Sequence, residues 1–153
     1  WIHHYPRPKP VLNMWSVQEG IGHIHKIQTQ ETFWNCIPDD FKDLDQISSC
    51  RDEGDMEIGL EIISKEPRIF VIEDIISNTE SALIIDLASK KFRRSRAGGD
   101  GGMEDDTRTS RTAWLDRTEH PVLDTIYRRA ADILGIDESL LYSQKNVESM
   151  QVV

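Results

Sequence analysis

Thr107-Arg108-Thr109-Ser110-Arg111-Thr112-Ala113-Trp114-Leu115 is the stretch on which the reading of this chain turns. Two arginines and four hydroxyl side chains sit within eight residues and then run into a tryptophan. Such a segment can hydrogen-bond an extended peptide or a phosphate, and its tryptophan is expected to anchor it to a core. A polar strand edge with one buried end has the same composition and needs no ligand. Glycine-rich, acidic sequence precedes it, from Gly98 to Asp106, and a clear helical pattern follows it.

Downstream, Pro121 sits in a first helical turn, where its missing N–H costs nothing. Leu123, Ile126, Tyr127, Ala130, Ile133 and Leu134 then recur at helical spacing, which predicts an amphipathic helix closed by Gly135. His120, at its start, reads as a capping or surface residue. Leu140 and Leu141 suggest a short helical turn, and Val147 to Val153 a strand.

Upstream, Met56, Ile58, Leu60 and Ile62 alternate with Glu57, Gly59 and Glu61, the pattern of a half-buried strand. Pro67 interrupts the chain, and Ile69 to Ile72 form a second strand. Ser77-Asn78-Thr79-Glu80 is a capping box. The helix it opens carries Leu83, Ile84, Leu87 and Ala88 on one face, with Lys90 and Lys91 expected in its last turn. Phe92 to Ala97 reads as a strand entering a glycine turn. Gly98-Gly99-Asp100-Gly101-Gly102 lacks the Gly-Lys-Ser/Thr ending of a phosphate loop, so a hairpin loop is expected there. The acids Asp100, Glu104, Asp105 and Asp106 either meet a basic peptide or are solvated.

Residues 1–54 read as an extended proline-rich arm and an accessory lead-in packed on the main domain. Prolines at 6, 8 and 10 exclude helix and interior strand. His23 and His25 would share one face of a strand but lack a third metal ligand, so they read as a surface or packed pair. Phe33, Trp34, Ile37, Phe41, Leu44 and Ile47 have helix-compatible spacing, with Asp39 or Asp40 as the cap of a short helix from about 40 to 48.

At 153 residues and 38% hydrophobic content, the chain is one domain, or a domain with an arm. Its 27 acidic against 18 basic residues give a formal charge of −9, which argues against generic nucleic-acid binding. No apolar run approaches the ~20 residues of a membrane span. The first residue is Trp1 rather than Met, which leaves room for a leader or anchor ahead of it, and no signal peptide is legible within these residues. Cys36 and Cys50 are either bridged or two buried thiols, and a bridge implies a secretory compartment.

From Pro67 to Val153 the chain resembles the N-terminal half of the prolyl 4-hydroxylase catalytic domain, of the 2-oxoglutarate- and Fe(II)-dependent dioxygenase superfamily. The matching pieces are Glu66 to Asp74, Ile75-Ile76-Ser77, a helix, Arg108-Thr109-Ser110 ahead of Trp114, a second helix, and Glu148-Ser149-Met150-Gln151-Val152-Val153. The resemblance implies an α+β fold: residues 55–153 as the first half of a double-stranded β-helix (jelly roll) with two supporting helices. It implies Fe(II), 2-oxoglutarate and ascorbate as cofactors of the full-length protein, a proline-rich peptide substrate, and the endoplasmic reticulum or secretory pathway. It also implies packing against the remaining C-terminal half or another subunit.

By the same resemblance, Arg108, Ser110 and Glu148 line the peptide groove. Arg111 departs from the small residue usual after that serine, which puts the shape of the groove in question. The family binds iron through His-x-Asp and a distant histidine. No histidine here has an acid two residues later, so the iron motif is expected after Val153 and the 153 residues alone are expected to be inactive. The competing reading is a non-catalytic structural subunit or a binding module for proline-rich peptides.

Overall fold

A computed structural model describes residues 15–94, 96–97, 103–104, 110–138, 141 and 147–153. It combines three α-helices with two three-stranded antiparallel sheets and a two-stranded ribbon. No closed barrel forms among the described residues.

The first sheet has the order β1-β2-β3: β1 (Ile24–Thr29), β2 (Met56–Lys65) and β3 (Arg68–Ile72). The alternation in β2 does what its sequence predicts. Ile58, Leu60 and Ile62 are buried, while Glu57 and Gly59 face out. The inward row meets Ile27 of β1 and Ile133 of the last helix, with Trp15, Phe70 and Ile72 packed around it. A tight turn at the cis Glu66–Pro67 bond leads from β2 into β3, and the ladder between them shifts between Ile62 and Ser64.

Helix α1 (Leu44–Ser49) is shorter than expected and starts later. Asp43, not Asp39 or Asp40, caps it, its carboxylate accepting from the Asp45 and Gln46 amides. Pro38 lies amid the apolar positions whose spacing suggests the longer helix. The structure bridges Cys36 to Cys50, joining the chain ahead of α1 to its C-cap.

Helix α2 (Asn78–Ser89) opens with the predicted capping box: Ser77 accepts from the Glu80 amide while Glu80 accepts from the Ser77 amide. Ile84 and Ala88 are buried, and Leu83 and Leu87 pack beside them. Lys90 is the C-cap, so both lysines fall just past the last turn rather than within it. Helix α3 (Pro121–Leu134) has proline at N1, His120 as N-cap and Gly135 in the left-handed region at its end. Leu134, expected on its apolar face, stands 55% exposed. It follows Ile133, which turns inward to the first sheet.

The second sheet has the order β4-β7-β8: β4 (Arg93–Arg94), β7 (Arg111–Leu115) and β8 (Met150–Val152). β5 (Arg96–Ala97) pairs antiparallel with β6 (Met103–Glu104), the hairpin expected around the glycine run. The loop residues 98–102, with Asp105 and Asp106, lie outside the described residues, as do 1–14.

One buried cluster joins these parts. Arg129 and Glu80 are both fully buried, and the guanidinium donates from Nη1 and Nη2 to the two carboxylate oxygens at 3.0 and 2.9 Å. Arg129 also donates to the backbone oxygens of Glu31, Thr32 and Ile75. Those contacts occupy all five guanidinium N–H groups, which a buried arginine needs. The Trp34 amide donates to Glu80, and the Trp34 indole donates to Thr125. Residues 31–34 are thereby pinned to α2 and α3 together.

A candidate peptide-facing surface on the second sheet

β7 is where the Thr107–Leu115 stretch becomes structure. Ala113 and Leu115 point into the core formed with Ile84, Ala88, Val122, Leu123 and Ile126. Strand side chains alternate, so Trp114 points the other way and is 46% exposed. The expectation that this tryptophan anchors the segment in a core is therefore corrected: the small Ala113 and Leu115 do that work, and the indole faces out.

Register shows what stands beside it. Trp114 pairs with Gln151 of β8, and Thr112 pairs with Arg93 of β4. Directly opposed residues in an antiparallel pair share a face. Arg93, Thr112, Trp114 and Gln151 therefore lie on one surface, turned away from the helix-packed core. Arg93 and Gln151 are exposed. The arrangement presents one aromatic plane flanked by a guanidinium, a hydroxyl and an amide, a combination able to hold an extended polypeptide by stacking and hydrogen bonds.

Helix α3 positions β8. The buried Tyr127 side chain donates from its hydroxyl to the backbone oxygen of Glu148 at 3.1 Å. Burial pushes the Tyr127 hydroxyl above its ordinary pKa, which keeps it a donor. Arg117, in the 3-10 turn Arg117–Glu119, donates to the backbone oxygens of Glu138 and Leu141 and pairs with Asp124. Burial raises the Asp124 carboxyl, but hydrogen bonds from Arg117 and Arg128 outweigh it and hold the group below its ordinary range.

Of the residues assigned to the groove by resemblance, Arg108 lies outside the described residues. Ser110 and Glu148 are both exposed and both stand just before a strand, β7 and β8 respectively. The strands run antiparallel, with Ala113 opposite Val152 and Leu115 opposite Met150. Ser110 and Glu148 therefore enter the pair from opposite ends. At a strand rise of about 3.4 Å per residue they are roughly 24 Å apart, the reach of about seven residues of extended peptide. Both lie outside the ladder, so its in-and-out alternation does not assign them a face.

No three His, Cys, Asp or Glu side chains come together to hold a metal among the described residues. His23 and His25 adjoin edge to face, with ring centroids 4.8 Å apart, but the His25 Nε2 is 2.8 Å from the backbone oxygen of Ser16 and its ring packs on Trp15. His120 Nδ1 accepts from the Val122 amide. These imidazoles are committed to packing and capping. Among the described residues, the donor set does not fit the ferrous ion that the resemblance implies.

The face could have been found in the sequence. Once β7 is read as a strand, Ala113 and Leu115 on one side put Trp114 on the other. Gln151 and Arg93 carry no such signal, because only strand pairing places them beside it.

Curated proteins are similar to part of this chain. It is 35% identical over 94 residues to rat "Prolyl 4-hydroxylase subunit alpha-3", a match covering 61% of this chain and 16% of that protein. It is 38% identical over 77 residues to human "Prolyl 4-hydroxylase subunit alpha-1", covering 48% and 14%. The chain thus spans about a sixth of the length of these relatives. No protein-family model matches it, and no solved structure does. Over about half of its length, the chain carries a partial prolyl 4-hydroxylase-like segment.

Proposed function

We propose that this chain supplies scaffold and peptide-groove residues to a 2-oxoglutarate- and Fe(II)-dependent dioxygenase that hydroxylates peptidyl proline. The observation that carries the reading is exposed Trp114, beside Gln151, on the helix-free side of a sheet in a chain similar to prolyl 4-hydroxylase α subunits. Proline-rich segments dock on aromatic surfaces because their extended backbone loses little entropy on binding. Arg108, Ser110 and Glu148 line the same groove in this reading, with Trp114 between the last two. In this reading the complete domain is a jelly roll that carries the family's iron-binding residues. The remaining C-terminal half, or another subunit, packs against this one. Fe(II), 2-oxoglutarate and ascorbate belong to that whole. The Cys36–Cys50 bridge supports a secretory compartment, since disulfides persist in oxidising surroundings.

The test uses the full-length protein with Fe(II), 2-oxoglutarate, ascorbate and a proline-rich peptide. Peptide-dependent succinate release and 4-hydroxyproline are the expected products. Arg108→Ala and Trp114→Ala should raise the apparent KM for peptide about tenfold or more if their contacts are desolvated, and leave the KM for 2-oxoglutarate nearly unchanged. Peptide binding without succinate release would instead identify a non-catalytic binding module. Unchanged peptide KM in both variants would remove this face from the groove.

A further inference from the structure

The described residues leave one face of the first sheet uncovered as well, and it differs from that of the second in charge. A groove of about 310 Å³ crosses it. Ile24, Gly59 and Val71 form an apolar floor, with Phe33 at one side. Ile24 is 52% exposed and Val71 41%. Gly59 keeps the floor low: a Cβ there would stand 3.1 Å from Ile24 Cγ2. Four carboxylates line the groove, Glu57, Glu61, Glu73 and Asp74, and no cationic side chain among the described residues does. Glu57 is satisfied by Lys26 and Gln28 from the neighbouring strand. Glu61, Glu73 and Asp74 make no ion pair with a described residue. Asp74 adopts a left-handed backbone conformation (φ 52°) just past the end of β3.

The spacing of these acids selects a ligand geometry. Glu61 lies opposite Val71 in the ladder, and Glu73, just past the end of β3, lines the same groove; residues diagonal to each other across such a strand pair stand roughly 7–8 Å apart. Alternate residues of an extended chain repeat at about 6.6–6.8 Å. Lysine and arginine lay their aliphatic stems on apolar surface while the charged head reaches past it. Two basic residues in alternation would thus rest their stems on Ile24 and Val71 and bring their heads to Glu61 and Glu73.

We propose that this groove docks an extended segment of a partner polypeptide that carries lysine or arginine at alternate positions. The site lies on a different sheet from the Trp114 face, and it stands or falls independently of the hydroxylase reading.

The probe is a fluorescein-labelled peptide, Gly-Lys-Val-Lys-Val-Lys-Gly, titrated into the 153-residue chain at low and at moderate salt. An acidic twin with glutamate for lysine serves as the control. Binding of the basic peptide alone, weakening with salt, is the expected result. Glu61→Gln with Glu73→Gln should weaken it about fivefold to tenfold, the scale of two partly exposed ion pairs. Gly59→Val should weaken it further by filling the floor. The glutamine variants keep the size of half-buried Glu61 and exposed Glu73 and break no ion pair with a described residue, so they remain decisive if the valine variant fails to fold. Equal binding of both peptides, no binding, or an unchanged affinity in the glutamine double variant would overturn the proposal. The chain's own Arg7-Pro8-Lys9 has the same alternation. Binding that appears only after removal of residues 1–12 would make that arm the occupant and overturn docking of a partner.

Discussion

The first sheet buries a row of isoleucine and leucine from a ten-residue central strand against α3. The second buries two residues of a five-residue strand, Ala113 and Leu115, against the helices. In both, the described residues leave the opposite face open. The open face of the first is acidic with an aliphatic floor; that of the second is built on one tryptophan and neutral or basic groups. Similar architecture therefore presents two surfaces with different chemical preferences. What differs is the residue type at the outward positions, since the inward ones are apolar in each.

Between the sheets stands the Arg129–Glu80 pair, and the sharpest way to test their connection is to break it. Arg129→Met leaves the Glu80 carboxylate buried without its partner. A loss of about 3–5 kcal/mol in urea unfolding is expected, the usual cost of stranding one member of a buried pair. The double change Arg129→Met with Glu80→Leu should recover much of that. A small loss in the single variant would mean that residues 31–34 are held by packing rather than by this cluster.

Within β7 the two faces can be set against each other. Leu115→Ala should cost about 2–5 kcal/mol, as expected for a fully buried leucine. Trp114→Ala should cost less than about 1 kcal/mol despite removing the larger side chain, because half of the indole is already exposed. Thermal unfolding of the pair reads the contrast directly, and equal losses would mean that the outward face is covered in solution.

The disulfide closes a loop ahead of the first sheet's central strand, and its Cys50 end is buried in the core shared with α2, α3 and β7. Replacing Cys36 and Cys50 by serine should cost roughly 3 kcal/mol on the chain-entropy account for a loop of this size. Unfolding with and without reductant checks it: the wild-type chain should respond and the serine variant should not.

The smallest effect expected is at His120. Burial lowers its pKa, and its Nδ1 must stay unprotonated to accept from the Val122 amide. The unfolded chain therefore takes up a proton at higher pH than the folded one. Stability should fall as pH drops below the ordinary histidine range, until the folded imidazole protonates as well. His120→Asn keeps a capping acceptor that does not titrate there. The variant should flatten the pH dependence of Tm between about pH 7 and 5. An unchanged slope would place the pH response elsewhere.

Local chemistry makes much of this chain legible in its sequence. The capping box at Ser77 and Glu80, proline and glycine at the two ends of α3, and the alternation of β2 each depend on residues a few positions apart. Periodicity over the same range is enough to state which side of β2 and α2 is buried. The short helix near Leu44 is less legible, because the apolar spacing runs across Pro38 and three nearby aspartates compete as its cap. The partners of Arg129 are not legible at all. They lie 49 to 98 positions away, and an arginine between Tyr127 and Ala131 reads as a solvated helix position until the neighbouring chain is brought over it.

The types of most elements, the start of α2, both ends of α3 and the resemblance to prolyl 4-hydroxylase follow from the order of residues alone. Tertiary structure decides which surfaces exist. Trp114 meets Gln151 and Arg93 only through strand register, and Glu61 and Glu73 line one groove only because β2 and β3 pair. Local preferences act over one turn or one pleat, whereas a face made from three strands depends on contacts between distant parts of the chain.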